Sequence, residues 1–483
     1  MHRVRTSLLS VLTSLLIGAS PAALAQAAPH GTPPAVLGPA PLPTNTFSST
    51  PGVLHNVPVP DGQAAPPVAA PKPKPAPVVH ERVVARNDKR PSYHPDSLAL
   101  INEAAQKYLA IAHAGGWPIL PANATLQPGA EGANVITLRQ RLAAEGDLAA
   151  TDVANPVFDA PLAVAVKKFQ SRHGQSQNAL VQGPTLAALR ISARERFTQL
   201  NESARRLATR NFAFGQRYVV VNIPSASVEA IENSIVEKRF IAVVGKKERA
   251  SPEVETRITN VNLNPTWTVP VSIIKKDIIP KMQKDPAYLT KAKIRIYGIS
   301  GNEVDPRAID WSTERAVAFT LRQDSGTANA LGQLRIDMPN RESVYMHDTP
   351  SKRLFASDDR FHSSGCVRVE NVRDFAAWVL EGAKDWDRKA IDAAIAEGKR
   401  KDVRPAHPIP VIWTYLTGYV TPDGTVHFRP DIYGLDSGPV LTAAGDAPTT
   451  RKAKAPPIAL DAAGLDARAA SAFSQPIQQI DPQ

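Results

Sequence analysis

The sequence predicts a multidomain chain with a small all-α domain, a mainly-β domain and disordered segments at both ends. Three observations lead to this prediction. The 483 residues exceed what one domain of ordinary size holds. Apolar residues recur at helical spacing in the first part of the folded region, at 97–113, 135–142 and 162–169. Beyond Tyr218 the apolar period changes to two or to continuous β-branched runs, at 218–223, 240–244, 258–263, 316–321 and 343–347.

The first 25 residues have the parts of a secretory signal peptide. Arg3 and Arg5 form a basic start, residues 8–19 are apolar and uncharged, and small residues precede a cut before Gln26. An uncleaved anchor is the weaker alternative, because the apolar stretch is short for a hydrocarbon core of roughly 30 Å. We therefore expect export, with no membrane span after signal removal.

Two further segments, 26–91 and 437–483, are predicted to be disordered. Fifteen of the 44 prolines lie between Ala27 and Pro77, in a Pro/Ala-rich stretch that cannot bury enough apolar surface to offset the entropy of ordering. The C-terminal segment is Ala-rich, of mixed charge and poor in aromatic residues. We interpret 26–91 as a linker that gives the folded part reach, and 437–483 as a tail.

Three segments remain between linker and tail: a helical scaffold at 92–124, a small all-α domain at 125–192 and the mainly-β domain at 193–436. Gly115 and Gly116 end the first helical pattern, as glycines after a helix do. Residues about 281–325 lack a strong single period and contain two Asp-Pro pairs, so we place an inserted cap there.

Composition excludes several classes of function. The chain has 56 Lys and Arg against 45 Asp and Glu, a formal net charge of +11, but only 21% of its residues are charged and no long basic run occurs. Nucleic acid is therefore not expected as a partner. The single cysteine, Cys366, rules out an intrachain disulfide and a Cys-based zinc site.

Cys366 and His347 are the candidate catalytic residues. A thiol is mostly protonated at neutral pH, so a cysteine nucleophile needs a base or a positive environment, and His347 stands at the end of a predicted strand. His362 is the competing base, and an inert buried thiol is the competing interpretation of Cys366. Gly365 lacks a Cβ, which lets backbone N–H groups approach a reacting carbonyl as an oxyanion hole.

A zinc site built from His347, Asp348 and His362 is conceivable from ligand type alone. No short metal-ligand spacing such as HExxH occurs in the sequence, however. We therefore expect neither a metal nor another cofactor.

At these residues the chain resembles the L,D-transpeptidase family of YkuD-type fold. The family signature is a histidine, a loop of under twenty residues and a Ser/Thr-His-Gly-Cys turn. The chain most resembles the large Gram-negative branch, which adds a helical capping insertion and a peptidoglycan-binding domain. This likeness is carried by 115–118 in the helical scaffold and by 264–270, 277–280, 304–312, 338–340 and 428–434 in the mainly-β domain. Those that resemble the binding domain, assigned here to 125–192, are 126–129, 135–142, 166–174 and 183–186.

The resemblance implies that Cys366 is the nucleophile, His347 the base and Gly365 the glycine of the turn. Ser364 replaces the histidine of the general pattern, and Arg368 stands where many members have asparagine. Both departures resemble the capped branch and leave the mechanism in place.

Three residues are candidates for substrate binding. Trp267 lies in a segment that resembles the capped branch. Tyr345 precedes His347 by two residues, so both side chains point to one face of a strand; its hydroxyl either orients the imidazole or binds substrate, or the ring simply packs in the sheet. Arg368 pairs either with a substrate carboxylate or with a structural acid.

The function implied by the resemblance is L,D-transpeptidation in the periplasm. Peptidoglycan stem peptides would serve as donor and acceptor, with other wall synthases as further partners, and a cysteine thioester would be resolved into a 3–3 crosslink. The alternatives are an L,D-carboxypeptidase, an enzyme that attaches lipoproteins to the wall, a hydrolytic Cys/His peptidase, and a non-catalytic peptidoglycan-binding scaffold.

Overall fold

The computed structural model describes residues 87–436. The expected signal peptide, most of the expected linker and the expected tail lie outside these residues. Within them, no helix has the length and apolar character needed to cross a bilayer. Residues 87–90, at the end of the expected linker, contact the mainly-β domain: the backbone oxygen of Lys89 accepts a hydrogen bond from the Val236 amide at 2.9 Å, and Arg90 pairs with Asp423.

The helix predicted at 97–113 is confirmed, and so are the two that follow it. The α-helices of the described residues are α1 (Ser97–His113), α2 (Ala133–Glu145), α3 (Ala160–Arg172), α4 (Gly183–Leu189), α5 (Ala193–Ala208), α6 (Val271–Ile273), α7 (Ile279–Lys284), α8 (Tyr288–Lys291), α9 (Val372–Val379) and α10 (Arg388–Ala396). Side-chain caps fix several of the helix starts. Asp159 accepts from the Leu162 amide at the start of α3, and Ser192 and Glu195 form a capping box on α5.

The strands begin after α5, as the change of period predicts. They are β1 (Arg217–Asn222), β2 (Ser227–Glu232), β3 (Ile235–Gly245), β4 (Val254–Ile258), β5 (Asn260–Leu263), β6 (Trp267–Thr268), β7 (Ile294–Tyr297), β8 (Glu303–Val304), β9 (Thr320–Gln323), β10 (Leu334–Asp337), β11 (Met346–His347), β12 (Phe361–Ser363), β13 (Val367–Val369), β14 (Lys401–Val403), β15 (Ile409–Thr414), β16 (Gly418–Val420) and β17 (Val426–Phe428).

One sheet of eleven strands dominates the part of the chain that is described. Its order is β14-β5-β10-β11-β13-β3-β2-β1-β15-β4, and β12 pairs with β3 beside this path. Most neighbours are antiparallel, but β1 pairs in parallel with β15, β11 with β13, and β12 with β3. The mainly-β prediction for this part of the chain is therefore confirmed.

The two faces of this sheet bury different clusters. One face packs against α9 and α10 in a core that contains side chains from nearly every strand of the sheet. On the other face, α1 and α5 cover only β1, β2, β3 and β15, through residues such as Ile101, Leu200, Tyr218 and Val220. The same face of β5, β10, β11 and β13 lacks that helical cover and carries polar side chains, so it can hold a site.

The insertion differs from the helical cap that the resemblance implied. It contains the short helices α6 to α8 and a π-helical turn, Ile274–Ile278, but also a separate four-stranded sheet in the order β6-β9-β7-β8. Its apolar cluster extends from Val269 to Leu321. The insertion is thus mixed rather than helical, and it begins at Trp267 rather than at 281. We call residues 267–323 the insertion.

Residues 120–189 form an apolar cluster of their own around α2, α3 and α4, and we call them the helical module. A buried charge cluster joins this module to α1 and α5. Glu145, whose side chain is fully buried, lies 2.5 Å from Arg141 and 2.7 Å from Arg172, and it accepts a hydrogen bond from Tyr108. Burial alone would raise the pKa of Glu145, but these arginines and Arg196 hold it well below its usual range.

Candidate active site

Strand pairing brings the predicted site residues onto one face of the sheet. In the parallel pair β11 and β13, Met346 lies opposite Val367, and both side chains are buried in the core. Successive side chains of a strand point to opposite faces, and paired residues share a face. The uncovered face therefore carries the remaining side chains of both strands and of the residues that precede them: Tyr345, His347, Cys366 and Arg368.

Polar residues extend this face on the neighbouring strands. Arg335 on β10 lies opposite His347, and Asn262 on β5 lies opposite Arg335. The Arg335 guanidinium donates to Asn262 and to Asp337, both at 2.9 Å, and lies 5.2 Å from the ring centre of Tyr345. The same strands send Leu334 and Ile336 into the core.

The orientation of His347 suits a general base. Its Nδ1 lies 2.5 Å from the backbone oxygen of Asp348, which can only accept, so Nδ1 carries the proton and Nε2 is left as the acceptor. The Asp348 carboxylate takes no part in this, because it accepts from the Gln333 amide and from Lys352. A backbone carbonyl, rather than a carboxylate, therefore orients this imidazole.

Both catalytic candidates are neutral in the resting structure. Burial, and then the charge of Arg368, lowers the pKa of His347 to about 3. Burial raises the pKa of Cys366 to about 11, although Tyr345, Arg368 and Arg335 all favour the thiolate. Cys366 as a whole residue is half-buried. A neutral thiol and a neutral imidazole require proton transfer to accompany attack on a substrate.

Tyr345 is the neighbour that most favours the thiolate of Cys366. Its backbone and its hydroxyl both act to lower the pKa of Cys366 against the effect of burial, and Trp267, at the base of the insertion, acts to lower the pKa of the Tyr345 hydroxyl. The ring of Tyr345 also meets that of His347 edge-on, with centroids 5.7 Å apart. Tyr345 thus lies next to Cys366 and His347 and also packs against the core, so its role in orienting the imidazole or binding substrate stays a prediction.

The expected hydrogen bond between Cys366 and His347 is not formed within the described residues. The two residues occupy diagonal positions, because His347 is paired with Arg368 and Cys366 lies two residues before Arg368. Catalytic hydrogen bonds are often long before substrate binds. The competing base, His362, is exposed and lies with Nε2 3.0 Å from the backbone oxygen of Asp359. No three His, Cys, Asp or Glu side chains converge as metal ligands among residues 87–436.

Residues 363–366, which we call the nucleophile turn, hold Gly365 in a conformation that favours glycine. Gly365 has φ +116°, and a Cβ there would meet only ordinary contacts, so the backbone angle and not the space requires glycine. Its amide donates to Ser363 Oγ at 3.2 Å and is therefore occupied. The Cys366 amide has no acceptor within the described residues, and it is the better candidate for an oxyanion donor.

A relay of hydrogen bonds supports the nucleophile turn from behind. Ser251 Oγ donates to the Gly365 carbonyl at 2.7 Å and accepts from the Gly245 amide at 2.9 Å. The Tyr433 hydroxyl accepts from the Ser251 amide at 3.1 Å and donates to the Gly245 carbonyl at 2.7 Å. A Cβ on Gly245 would lie 2.4 Å from the Ser251 nitrogen, so only glycine fits this loop.

Ser364 lies at the exposed side of the turn, where its hydroxyl accepts from Arg249 at 3.0 Å. Arg249 also forms a two-pronged ion pair with Asp277 of the insertion.

Arg368 lies on the site face without a structural partner. Within the described residues no carboxylate lies at ion-pair distance from it, and its Nε is buried with no hydrogen-bond partner. Burial lowers the pKa of Arg368, and only the charge of Cys366 acts against this. No structural ion pair of Arg368 is present among the described residues, and its pairing with a substrate carboxylate stays a prediction.

Sequence reasoning missed the residues that support the site. Arg335 had a usable signal, since Leu334 to Asp337 alternates apolar and polar residues as a half-buried strand does. Tyr433 lies in a segment with a family likeness but had no assigned role. Asp277 likewise lies in a segment with a family likeness, 277–280, but had no assigned role. Ser251 and Arg249 carried no local signal, because their contacts join residues far apart in the sequence.

The part of the chain that carries this site is similar to a known family. Residues 216–390 match the sequence profile of the L,D-transpeptidase catalytic domain, YkuD. A Haemophilus influenzae protein, assigned provisionally as an L,D-transpeptidase, is 36% identical over 221 residues, which are 45% of this chain and 44% of that protein. The chain thus spans less than half of the length of this curated relative.

Two solved structures have weak likeness to the chain. An L,D-transpeptidase from Xylanimonas cellulosilytica is 15% identical, with coverage of 61% of this chain and 99% of that chain and a TM-score of 0.19. An L,D-transpeptidase from Stackebrandtia nassauensis is 13% identical, with coverage of 54% and 90% and a TM-score of 0.23. Superpositions this poor carry no weight for fold or function.

Proposed function

Because residues 216–390 belong to the L,D-transpeptidase catalytic domain family, we propose that this protein forms 3–3 crosslinks between peptidoglycan stem peptides through a thioester on Cys366. The observation that carries the proposal is the single face shared by Tyr345, His347, Cys366 and Arg368. A nucleophile, a base with a free Nε2 and an unpaired guanidinium on one surface are what an acyl transfer to an anionic peptide needs.

In the first half-reaction, Nε2 of His347 takes the Cys366 proton as sulfur attacks the carbonyl that precedes the terminal D-alanine of the donor stem. The Cys366 amide would stabilise the oxyanion, a donor worth around 3 kcal/mol of barrier. The proton then passes from His347 to the departing amine, D-alanine leaves and the thioester remains. The neutral resting pair fits a proton transfer that occurs during attack rather than before it.

In the second half-reaction, a side-chain amine of the acceptor stem attacks the thioester and gives a proton to His347, which returns it to the sulfur. Arg368 would hold a carboxylate of the stem, since no protein acid in the described residues neutralises it. The insertion would close over the donor through Trp267 and Tyr345 and keep water from the thioester. Deletion of the insertion should raise hydrolysis relative to crosslinking, and an unchanged partition would contradict this role.

We further propose that the helical module binds peptidoglycan and that the protein works in the periplasm. The module has its own apolar cluster, as a binding domain would. A fusion of residues 1–30 to a reporter active only outside the cytoplasm tests export. Sedimentation with purified wall sacculi tests binding to peptidoglycan. The full protein with a C366A substitution is a better probe for it than residues 115–192 alone, because the module shares buried charges with α1 and α5.

The decisive experiment incubates residues 26–483 with purified disaccharide tetrapeptide and follows the products by mass spectrometry. We expect an adduct on Cys366 and a crosslinked dimer, and neither with C366A. Free tripeptide without dimer would indicate a carboxypeptidase. Retention on sacculi with no adduct would indicate a non-catalytic scaffold.

A further inference from the structure

Arg249 touches both the nucleophile turn and the insertion, and we infer that it is a positioning residue that couples the placement of the insertion to the reactivity of Cys366. The inference rests on the proposed function for its biological meaning, but not for its test. One guanidinium nitrogen of Arg249 donates to Ser364 Oγ at 3.0 Å and also to Asp277, while the other donates to Asp277 Oδ1 at 3.1 Å.

The other side-chain bonds of the nucleophile turn come from the sheet domain. Ser363 Oγ donates to the Cys366 carbonyl at 2.5 Å and accepts from the Gly365 amide, and Ser251 Oγ donates to the Gly365 carbonyl. All of these would persist if the insertion moved. The bond from Arg249 to Ser364 is different, because Arg249 is held at the same time by a residue of the insertion.

The loop that carries Arg249 is itself rigid, so the guanidinium is presented from a fixed base. Its neighbour Ser251 is fixed by Tyr433, and the Gly245 backbone packs so closely on this loop that no Cβ fits. The Arg249 side chain is 16% exposed. A guanidinium held this closely to a carboxylate by two bonds has a defined orientation, which a single-point contact would not give.

Asp277 occupies an irregular part of the insertion. It lies in the π-helical turn Ile274–Ile278, between α6 and α7. Such turns are frequent at functional sites and mark places where a helix can change its path. When Asp277 is in place, Arg249 reaches Ser364; when the insertion shifts, Arg249 loses its carboxylate partner and Ser364 loses an ordered donor. The nucleophile is thereby best aligned when the insertion is seated.

The test uses alkylation of Cys366 by iodoacetamide, which is specific because the chain has one cysteine. We expect R249A to slow alkylation about tenfold, the factor that corresponds to 1.4 kcal/mol. S364A and D277N should each slow it as well, although Asp277 does not contact the turn. In the R249A background, neither S364A nor D277N should have any further effect.

Two variants separate positioning from simple charge. R249K keeps the charge but not the fork, so it should restore only part of the rate, and the midpoint of the pH–rate profile should stay where it is in all variants. D305N is the matched control. Asp305 also forms an ion pair with an arginine, but its partner Arg307 belongs to the insertion and not to the loop that contacts Ser364. It should alkylate at the wild-type rate.

The inference is overturned if D277N alkylates as fast as D305N, or if R249K restores the full rate. Circular dichroism and thermal melting show that each variant is folded before rates are compared. Failure of the proposed function is a separate result, namely wild-type protein that alkylates normally but forms no adduct with the tetrapeptide.

Discussion

Removal of one buried hydroxyl, in Y433F, should disable the nucleophile turn from a distance. The Tyr433 hydroxyl donates to the Gly245 carbonyl at 2.7 Å and accepts from the Ser251 amide at 3.1 Å, and all three groups are buried. The substitution keeps the ring but leaves a buried donor and a buried acceptor without partners. At roughly 1–3 kcal/mol for each of the two unsatisfied groups, we expect a loss of about 2–6 kcal/mol of unfolding free energy.

Y415F is the matched control for Y433F. The Tyr415 hydroxyl also has two partners, Asp431 at 2.6 Å and the Tyr433 amide at 2.8 Å, and the two rings stack at 5.3 Å. Its loss should cost a similar free energy, but its hydroxyl does not contact the loop of Ser251. Urea unfolding measures the stability of both variants, and iodoacetamide labelling measures the thiol.

Only Y433F should slow the labelling of Cys366, by about tenfold, which is 1.4 kcal/mol. The physical reason is that Ser251 holds the Gly365 carbonyl, and a displaced Ser251 lets the turn adopt positions in which the thiol is away from its base. Equal labelling rates in the two variants, at equal loss of stability, would refute the relay.

Three further predictions follow from the site. G365A should lose about 1–3 kcal/mol of stability and nearly all acylation, because φ is +116° there. G398A is its control: Gly398 has φ +72° with open space around it, so this variant should lose stability alone. A G365A protein with full activity would contradict the prediction. R368Q should raise KM for the tetrapeptide with a change in stability within about 0.5 kcal/mol, because no carboxylate is left unpaired; strong destabilisation in urea would show a structural role instead. The buried neutral state of His347 stabilises the fold above the ordinary histidine pKa near 6.5, and this stabilisation is lost as the pH falls towards about 3. H347Q should therefore flatten the pH dependence of the unfolding free energy between these two pH values by up to about 1.4 kcal/mol per pH unit. An unchanged slope would refute the lowered pKa of His347.

The sequence predicted those parts of the structure that depend on local pattern. The apolar spacing of 97–113 fixed α1 to the residue, because the pattern and the glycines after it act within one helix. The separation and residue types of His347 and Cys366 indicated the chemistry, and alternation placed Tyr345 with His347. These features are readable because neighbouring residues determine them.

The remaining features depend on contacts between distant residues. β11 has two residues and β13 has three, too few for a period to be visible, yet their pairing creates the site face. The small sheet of the insertion is likewise built from short strands, so local pattern did not correct the helical cap that the resemblance implied. Ser251 and Tyr433 are separated by 182 positions, and such a pair has no local sequence signal.

The burial of Glu145 has a practical consequence for dissecting this protein. The carboxylate lies where α2 and α3 meet α1 and α5, and the charge of Arg196 on α5 helps to keep it ionised. Burial lowers the pKa of Arg196 to about 10, although the charge of Glu145 acts to raise it. A shortened protein without the helical module would leave Tyr108 without its acceptor and Arg196 without its partner at Ala188, and it would expose the surface of α1 and α5 that the module covers. Truncation should therefore yield insoluble material. The contribution of the helical module to activity is better measured with point substitutions on the outer surface of the module.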